Sequence, residues 1–186
     1  SWLLSPCVTG GELSCTHCHT SSGRYRFQGD QANHACLPCH RQRVDNAAAH
    51  MHHPDGGATQ CVQCHMPMNP FGGMNQSDHS MRPPLPQLSQ AVGSRNACIQ
   101  CHPDRDHDWA LEQIRAWHPG FETRTAPESH RALLVKSLRA SDWRRLPAAL
   151  DFIADRQADP LFAATVIRLL PPSDAPRQRI LLRELA

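Results

Sequence analysis

Four times between Cys15 and His102 the chain sets two cysteines three positions apart, with a histidine directly after the second. The four are Cys15-Thr16-His17-Cys18-His19, Cys36-Leu37-Pro38-Cys39-His40, Cys61-Val62-Gln63-Cys64-His65 and Cys98-Ile99-Gln100-Cys101-His102. Two thiols at that spacing reach the two vinyl groups of one haem, and the adjoining histidine is carried under the ring to bind its iron. Paired cysteines also build zinc cages and thioredoxin-like redox centres, but neither chemistry asks for histidine immediately after the second cysteine. The repetition predicts four covalently attached haem c groups. Cys15, Cys18, Cys36, Cys39, Cys61, Cys64, Cys98 and Cys101 are the anchors, and His19, His40, His65 and His102 the proximal iron ligands.

Nine further histidines are present: His17, His34, His50, His52, His53, His79, His107, His118 and His130. They suffice to give every iron a second axial nitrogen, and six-coordinate iron favours electron transfer over chemistry at an open metal position. His50 and His53 are spaced i, i+3, on one side of a helical turn, and can serve two different haems. His79 is the natural ligand of the loop after the third motif, where Asp78 can orient it by accepting its second N–H. The fourth distal position is open between His17, inside a motif and able to point to an adjacent haem, and His34. Met51, Met66, Met68, Met74 and Met81 are substitutes that would raise the potential.

Groups of this kind must be held by something, and the chain has few large apolar side chains with which to do it. Only 5 % of the 186 residues are aromatic, beside 16 prolines and 13 histidines. A side-chain core over the first hundred or so residues is hard to build from that composition, whereas four macrocycles supply flat apolar surface. The expected fold class is mainly α with much irregular loop: a haem-packed domain over 1–119, then a small helical bundle over 120–186. A helix is expected at 107–118, stopped by Pro119-Gly120. Prolines near segment starts then suggest helices at about 128–140, 147–157, 160–170 and 175–185. Between the third motif and Pro86, the prolines and glycines read as an extended loop wrapping a haem.

The formal net charge is +2, but two propionates per haem would bring it to about −6 before ion pairing. All basic residues except Lys136 are arginine, which suits bidentate pairing with carboxylates; Arg24, Arg26, Arg41, Arg43, Arg82 and Arg95 lie near the motifs. No basic run or aromatic interleaving indicates nucleic-acid binding, and no apolar run has the length of a membrane span. Attachment of haem c takes place outside the cytoplasmic membrane, so an exported protein, periplasmic or extracellular at the cell surface, is expected. Cys7 is the odd cysteine, read as a free thiol or an intermolecular link.

Over residues 36–118 the chain resembles tetrahaem, or doubled Cys-x-x-Cys-His, multihaem c-type cytochromes that carry helical repeats after the haem domain. The resemblance lies in His50-x-x-His53 before Cys61 to Pro67, in Asp78-His79-Ser80 with prolines following, and in Asn96 to His102 leading into a Trp109-Ala110 helix. It implies bis-histidine haems stacked as an electron conduit, with His50, His53 and His79 as ligands. Relatives often place Pro-His soon after the first motif histidine, where this chain has Thr20-Ser21-Ser22. The distal ligand of the first haem therefore stays open between His17, His34 and a histidine of another chain. Residues 128–186 resemble HEAT-like repeats, as in Asp159-Pro160-Leu161-Phe162.

The leading expectation is an electron-transfer protein whose partners are redox proteins or extracellular acceptors, with a homopolymeric wire as one form. Motif histidines 21, 25 and 37 residues apart keep the haems near one another, because each linker has limited reach. A multihaem reductase or oxidase of a small nitrogen or sulfur substrate is the alternative, and a repeat-based interaction module with a haem anchor the third.

Overall fold

The structure, a computed structural model, describes residues 2–11, 13–53, 59–171, 176, 179–180 and 183. Its contacts divide the chain into two compact units, Ser1–Pro86 with Arg95–Trp117, and Gln87–Ser94 with His118–Ala186. The chain is mainly helical with much loop.

In the first unit the helices are short, because the sequence keeps interrupting them. Helix α1 (Pro6–Thr9) starts where the Ser5 hydroxyl accepts from the Cys7 N–H and Pro6 fills the first turn, a position at which its missing N–H costs nothing. Helix α2 (Cys15–Cys18) is the first motif itself. Helix α3 (Leu37–Asp45) runs through the second motif, broken by non-helical φ/ψ of −120° and 34° at His40. Helix α4 (Ala47–Met51) ends at His52, which adopts the left-handed region at φ 54°. His53 thus lies beyond the helix, separated from His50 by the left-handed residue. The expectation of both on one helical face is corrected accordingly: the left-handed His52 turns them apart.

Helix α5 (Cys61–His65) carries the third motif and begins with a capping box in which Gln60 and Gln63 satisfy one another's backbone. The following stretch is not wholly the extended loop expected. Strands β1 (Met68–Phe71) and β2 (Met74–Ser77) pair antiparallel, with Phe71 opposite Met74. The two-residue connection is Gly72-Gly73, at φ 57° and 81°, and two successive positive φ values make the tight turn whose twist suits a hairpin. Pro70 is tolerated because each strand of a two-stranded ribbon is an edge. Helix α6 (Pro86–Val92), which belongs to the second unit from Gln87 onward, follows and is also unexpected from the proline-rich run. Helix α7 (Ala97–Cys101) holds the fourth motif and is capped by Asn96, whose Oδ1 accepts from the Cys98 N–H at 2.9 Å. Helix α8 (His107–Trp117) buries Ala110, Leu111 and Ile114. Among the described residues of this unit few other apolar side chains are buried, chiefly Ala32, Pro86 and Ala97.

The second unit has a conventional core. Helices α9 (Phe121–Arg139), α10 (Leu146–Ala154) and α11 (Pro160–Arg168) bring together Leu134, Leu138, Ala149, Val166 and Leu170, with Val135, Leu150 and Ile153 packed around them. Helix α9 begins six residues before Pro127 rather than at it. Phe121 is buried, and its burial, with the left-handed Gly120 at φ 75° turning the chain into the helix, outweighs one missing backbone hydrogen bond at Pro127. Lys136 donates from Nζ to the Ala91 carbonyl, tying α9 to the Gln87–Ser94 segment. The helix expected at 175–185 lies mostly outside the described residues.

Candidate haem sites

Each motif is a single helical turn, and that is what spaces its thiols. In α2, α5 and α7 the two cysteines stand one turn apart, and the histidine falls at or next to the helix end. Its side chain is thereby freed from the helix face. None of the eight motif cysteines is crosslinked.

Three motif histidines each face another histidine. His19 and His79 have ring centroids 6.2 Å apart at 32°, His65 and His50 are 6.2 Å apart at 16°, and His102 and His53 are 6.2 Å apart at 34°. Other ring pairs of this unit range from 4.8 Å, where His52 stacks on Trp117, to 6.5 Å between Trp2 and His79. Two imidazoles bound end-on to one metal at about 2 Å, each ring centre roughly 1 Å behind its nitrogen, have centroids about 6 Å apart. The three pairs have that separation, and in each a motif histidine faces a histidine from outside the motifs.

The outer nitrogens agree. The Nδ1–H of His19 donates to the Gly23 carbonyl at 3.0 Å, that of His53 to the Met51 carbonyl at 2.6 Å, that of His65 to the Arg82 carbonyl at 3.2 Å, and that of His79 to the Ser77 carbonyl at 2.9 Å. A carbonyl can only accept, so in each neutral ring the lone pair is left on Nε2, the nitrogen that must face a metal. Burial holds the His65 pKa below its ordinary value, against the opposing hydrogen bond to Arg82. That favours the neutral form a ligand requires. Asp78, expected to orient His79, instead accepts from the Ser80 N–H at 2.8 Å, while the Ser77 carbonyl holds the ring.

His17 is placed otherwise than expected. Its Nε2–H donates to the Ala35 carbonyl at 3.0 Å, and its ring tilts against Phe27. It uses for the backbone the nitrogen that His19, His53, His65 and His79 leave free. The motif without a facing histidine is accordingly the second, not the first: among the described residues of this unit no ring stands opposite His40, which is exposed.

The thiols trace the order of the motifs. The Cys36 and Cys61 thiols act on one another: the Cys61 side chain pushes the Cys36 thiol up, and that of Cys36 brings Cys61 down. Cys36 is raised further by Cys18 and Cys7, and Cys18 by burial and then by Cys7. Burial and the neighbouring Cys98 and Cys101 take Cys64 up to about 11. First motif adjoins second, second adjoins third, third adjoins fourth. Tyr25 sits among Cys36, Cys18 and Cys61, raised to about 12 mainly by burial, and donates to the Ala32 carbonyl at 2.8 Å.

Sequence reasoning missed Asn33. Its Nδ2 donates to the Thr59 carbonyl at 2.8 Å and its Oδ1 accepts from the Cys61 N–H at 2.9 Å, so one side chain pins the start of the third motif beside the second. Its one signal in the sequence was a short amide just before a motif, a residue that commonly serves as cap or turn. Arg26 and Arg82 bind backbone: Arg26 Nε donates to the His19 carbonyl at 2.8 Å, and Arg82 Nη2 to the Leu4 carbonyl at 2.8 Å.

Paired thiols one turn apart, each pair with its own histidine, and imidazole pairs spaced for one metal between them form a donor set that fits covalent haem and defines a c-type cytochrome. Residues 47–118, well under half of the chain, match the family described as cytochrome c552. That match covers the third and fourth motifs with His50, His53 and His79, supports a c-type cytochrome concerned with electron transfer, and implies covalently bound haem c. No curated protein and no solved structure matches the chain. No helix among the described residues is long and apolar enough to cross a membrane.

Proposed function

We propose that the chain is an exported tetrahaem c-type cytochrome that carries electrons along a row of haems in the order of their motifs. Covalently held haem supplies one-electron iron chemistry at each of the four positions. The protein's part is to anchor, space and ligate. Cys15 and Cys18, Cys36 and Cys39, Cys61 and Cys64, and Cys98 and Cys101 are the anchors. His19 pairs with His79, His65 with His50, and His102 with His53 as axial ligands. The observation that carries this reading is the common 6.2 Å separation of those three pairs.

Bis-histidine ligation suits electron transfer because the metal keeps the same ligands in both oxidation states, and rings already in place need little reorganisation. His50 and His53 lie three residues apart and serve the third and fourth haems, so one short segment spans two neighbours. Redox proteins or extracellular acceptors meet the ends of the row, and where an end meets another copy the row continues as a homopolymeric wire. The helical unit beyond Trp117 is a small repeat-like bundle that holds no haem.

The test is a count. Intact mass and haem extraction of the holoprotein expressed with export give four haems per chain, and ferric electron paramagnetic resonance gives three low-spin bis-histidine centres. Fewer than four haems, or zinc in their place, overturns the reading.

A further inference from the structure

The second motif differs from the other three in two independent ways. His19, His65 and His102 are half-buried and each faces a half-buried histidine, whereas His40 is exposed and no ring of its unit stands opposite it. Two other histidines of the unit are engaged elsewhere. His17 spends its Nε2 on the Ala35 carbonyl, and His52 lies flat on Trp117 at 4.8 Å.

We propose that the haem held by Cys36, Cys39 and His40 keeps an exchangeable sixth position that binds a small uncharged diatomic molecule. This inference rests on the tetrahaem reading and deepens it: three haems conduct, and one, inside the row, is also a ligand site. Its place in the row follows from the residues just before Cys36: Asn33 accepts from the Cys61 N–H of the third motif at 2.9 Å, and the Ala35 carbonyl accepts from His17 of the first at 3.0 Å. A ligand bound there sits between neighbours that deliver and remove electrons. Iron with one imidazole and an unfilled opposite side takes π-accepting diatomics in the ferrous state, whereas a firmly held second imidazole excludes them.

Carbon monoxide is the probe. The dithionite-reduced holoprotein, with its haem content counted first, is titrated with carbon monoxide and followed in the Soret band. One equivalent bound per four haems is expected, together with one high-spin centre beside three low-spin ones in the ferric protein. Substituting Cys36→Ala and Cys39→Ala together removes that haem, and the three-haem product should bind none. His79→Ala, which frees the iron of the first motif, should raise the stoichiometry from one to two.

Four haems with no carbon monoxide bound overturns the inference while leaving the tetrahaem reading intact, since a methionine or a second copy's histidine then fills the position. Fewer than four haems overturns the reading itself. Binding that persists in the Cys36→Ala, Cys39→Ala protein assigns the site to another motif and also overturns the inference. Should that variant fail to accumulate, the wild-type stoichiometry and the increment from His79→Ala decide alone.

Discussion

A histidine has two nitrogens, and which one the backbone takes decides which one is left for a metal. Four rings here give Nδ1 to a carbonyl two to seventeen residues away, and His17 gives Nε2. That difference separates ligand geometry from a structural histidine more sharply than position in the sequence did. The motif cysteines and histidines stand out in the sequence because a rigid prosthetic group, held at each motif as proposed, would dictate their spacing. Which histidines face one another was not legible, since it depends on where loops of 20 to 40 residues return. Asn33 was invisible for a related reason: both its partners, Thr59 and Cys61, are distant in sequence. Removing its side chain leaves a backbone carbonyl and an N–H without their partner, each loss being worth about 1 kcal/mol or somewhat more. Asn33→Ala is expected to lower the stability of the holoprotein by about 1–3 kcal/mol, read as a shift in the denaturation midpoint, while the haem count stays unchanged. An unaltered midpoint would show that the bridge is not holding the two motifs together.

At the scale of elements, the successes and failures divide by what stops a helix. Helix α8 was legible end to end because Pro119-Gly120 closes it and its apolar positions repeat on one face. Helix α9 was read too short because proline was taken as a start signal, when tertiary burial of Phe121 carries the helix through it. The hairpin was missed because Gly72-Gly73 between short strands with a proline resembles a loop until both glycines are seen at positive φ. Gly120 gives a measurable version of this argument. At φ 75° an added Cβ meets only the end of the Arg124 side chain, at 3.2 Å, so the cost is conformational rather than steric. Gly120→Ala is expected to destabilise the second unit by about 1–2 kcal/mol, the usual cost of a side chain in the left-handed region. Thermal unfolding followed at a helical circular-dichroism band reads it, and a variant as stable as the parent would mean the turn tolerates another conformation. Gly120→Asn, a residue that adopts this region more readily, should lose less.

For the whole molecule the division of labour follows from composition. The second unit has Leu134, Leu138, Val166 and Leu170 to bury and forms an ordinary helical core. The first has thiols, imidazoles and turns, and needs its prosthetic groups as core. If those groups form a row in motif order, each iron has a charged neighbour close by, and reducing one makes reduction of the next harder. Two unit charges about 10 Å apart in a medium of effective dielectric about 20 interact by roughly 1–2 kcal/mol, which for a single electron is several tens of millivolts. A spectroelectrochemical titration of the holoprotein is therefore expected to spread well beyond one single-electron curve. Replacing one axial imidazole by a thioether raises the potential of that iron alone. His53→Met should move one of four components upward and leave the others nearly in place, with the largest secondary shift in the third haem, whose ligand His50 lies three residues from the altered side chain. A titration of the parent that overlays one Nernst curve would mean the four groups neither differ nor interact. A His53→Met protein in which all four move together would mean that His53 acts through the fold rather than on one iron.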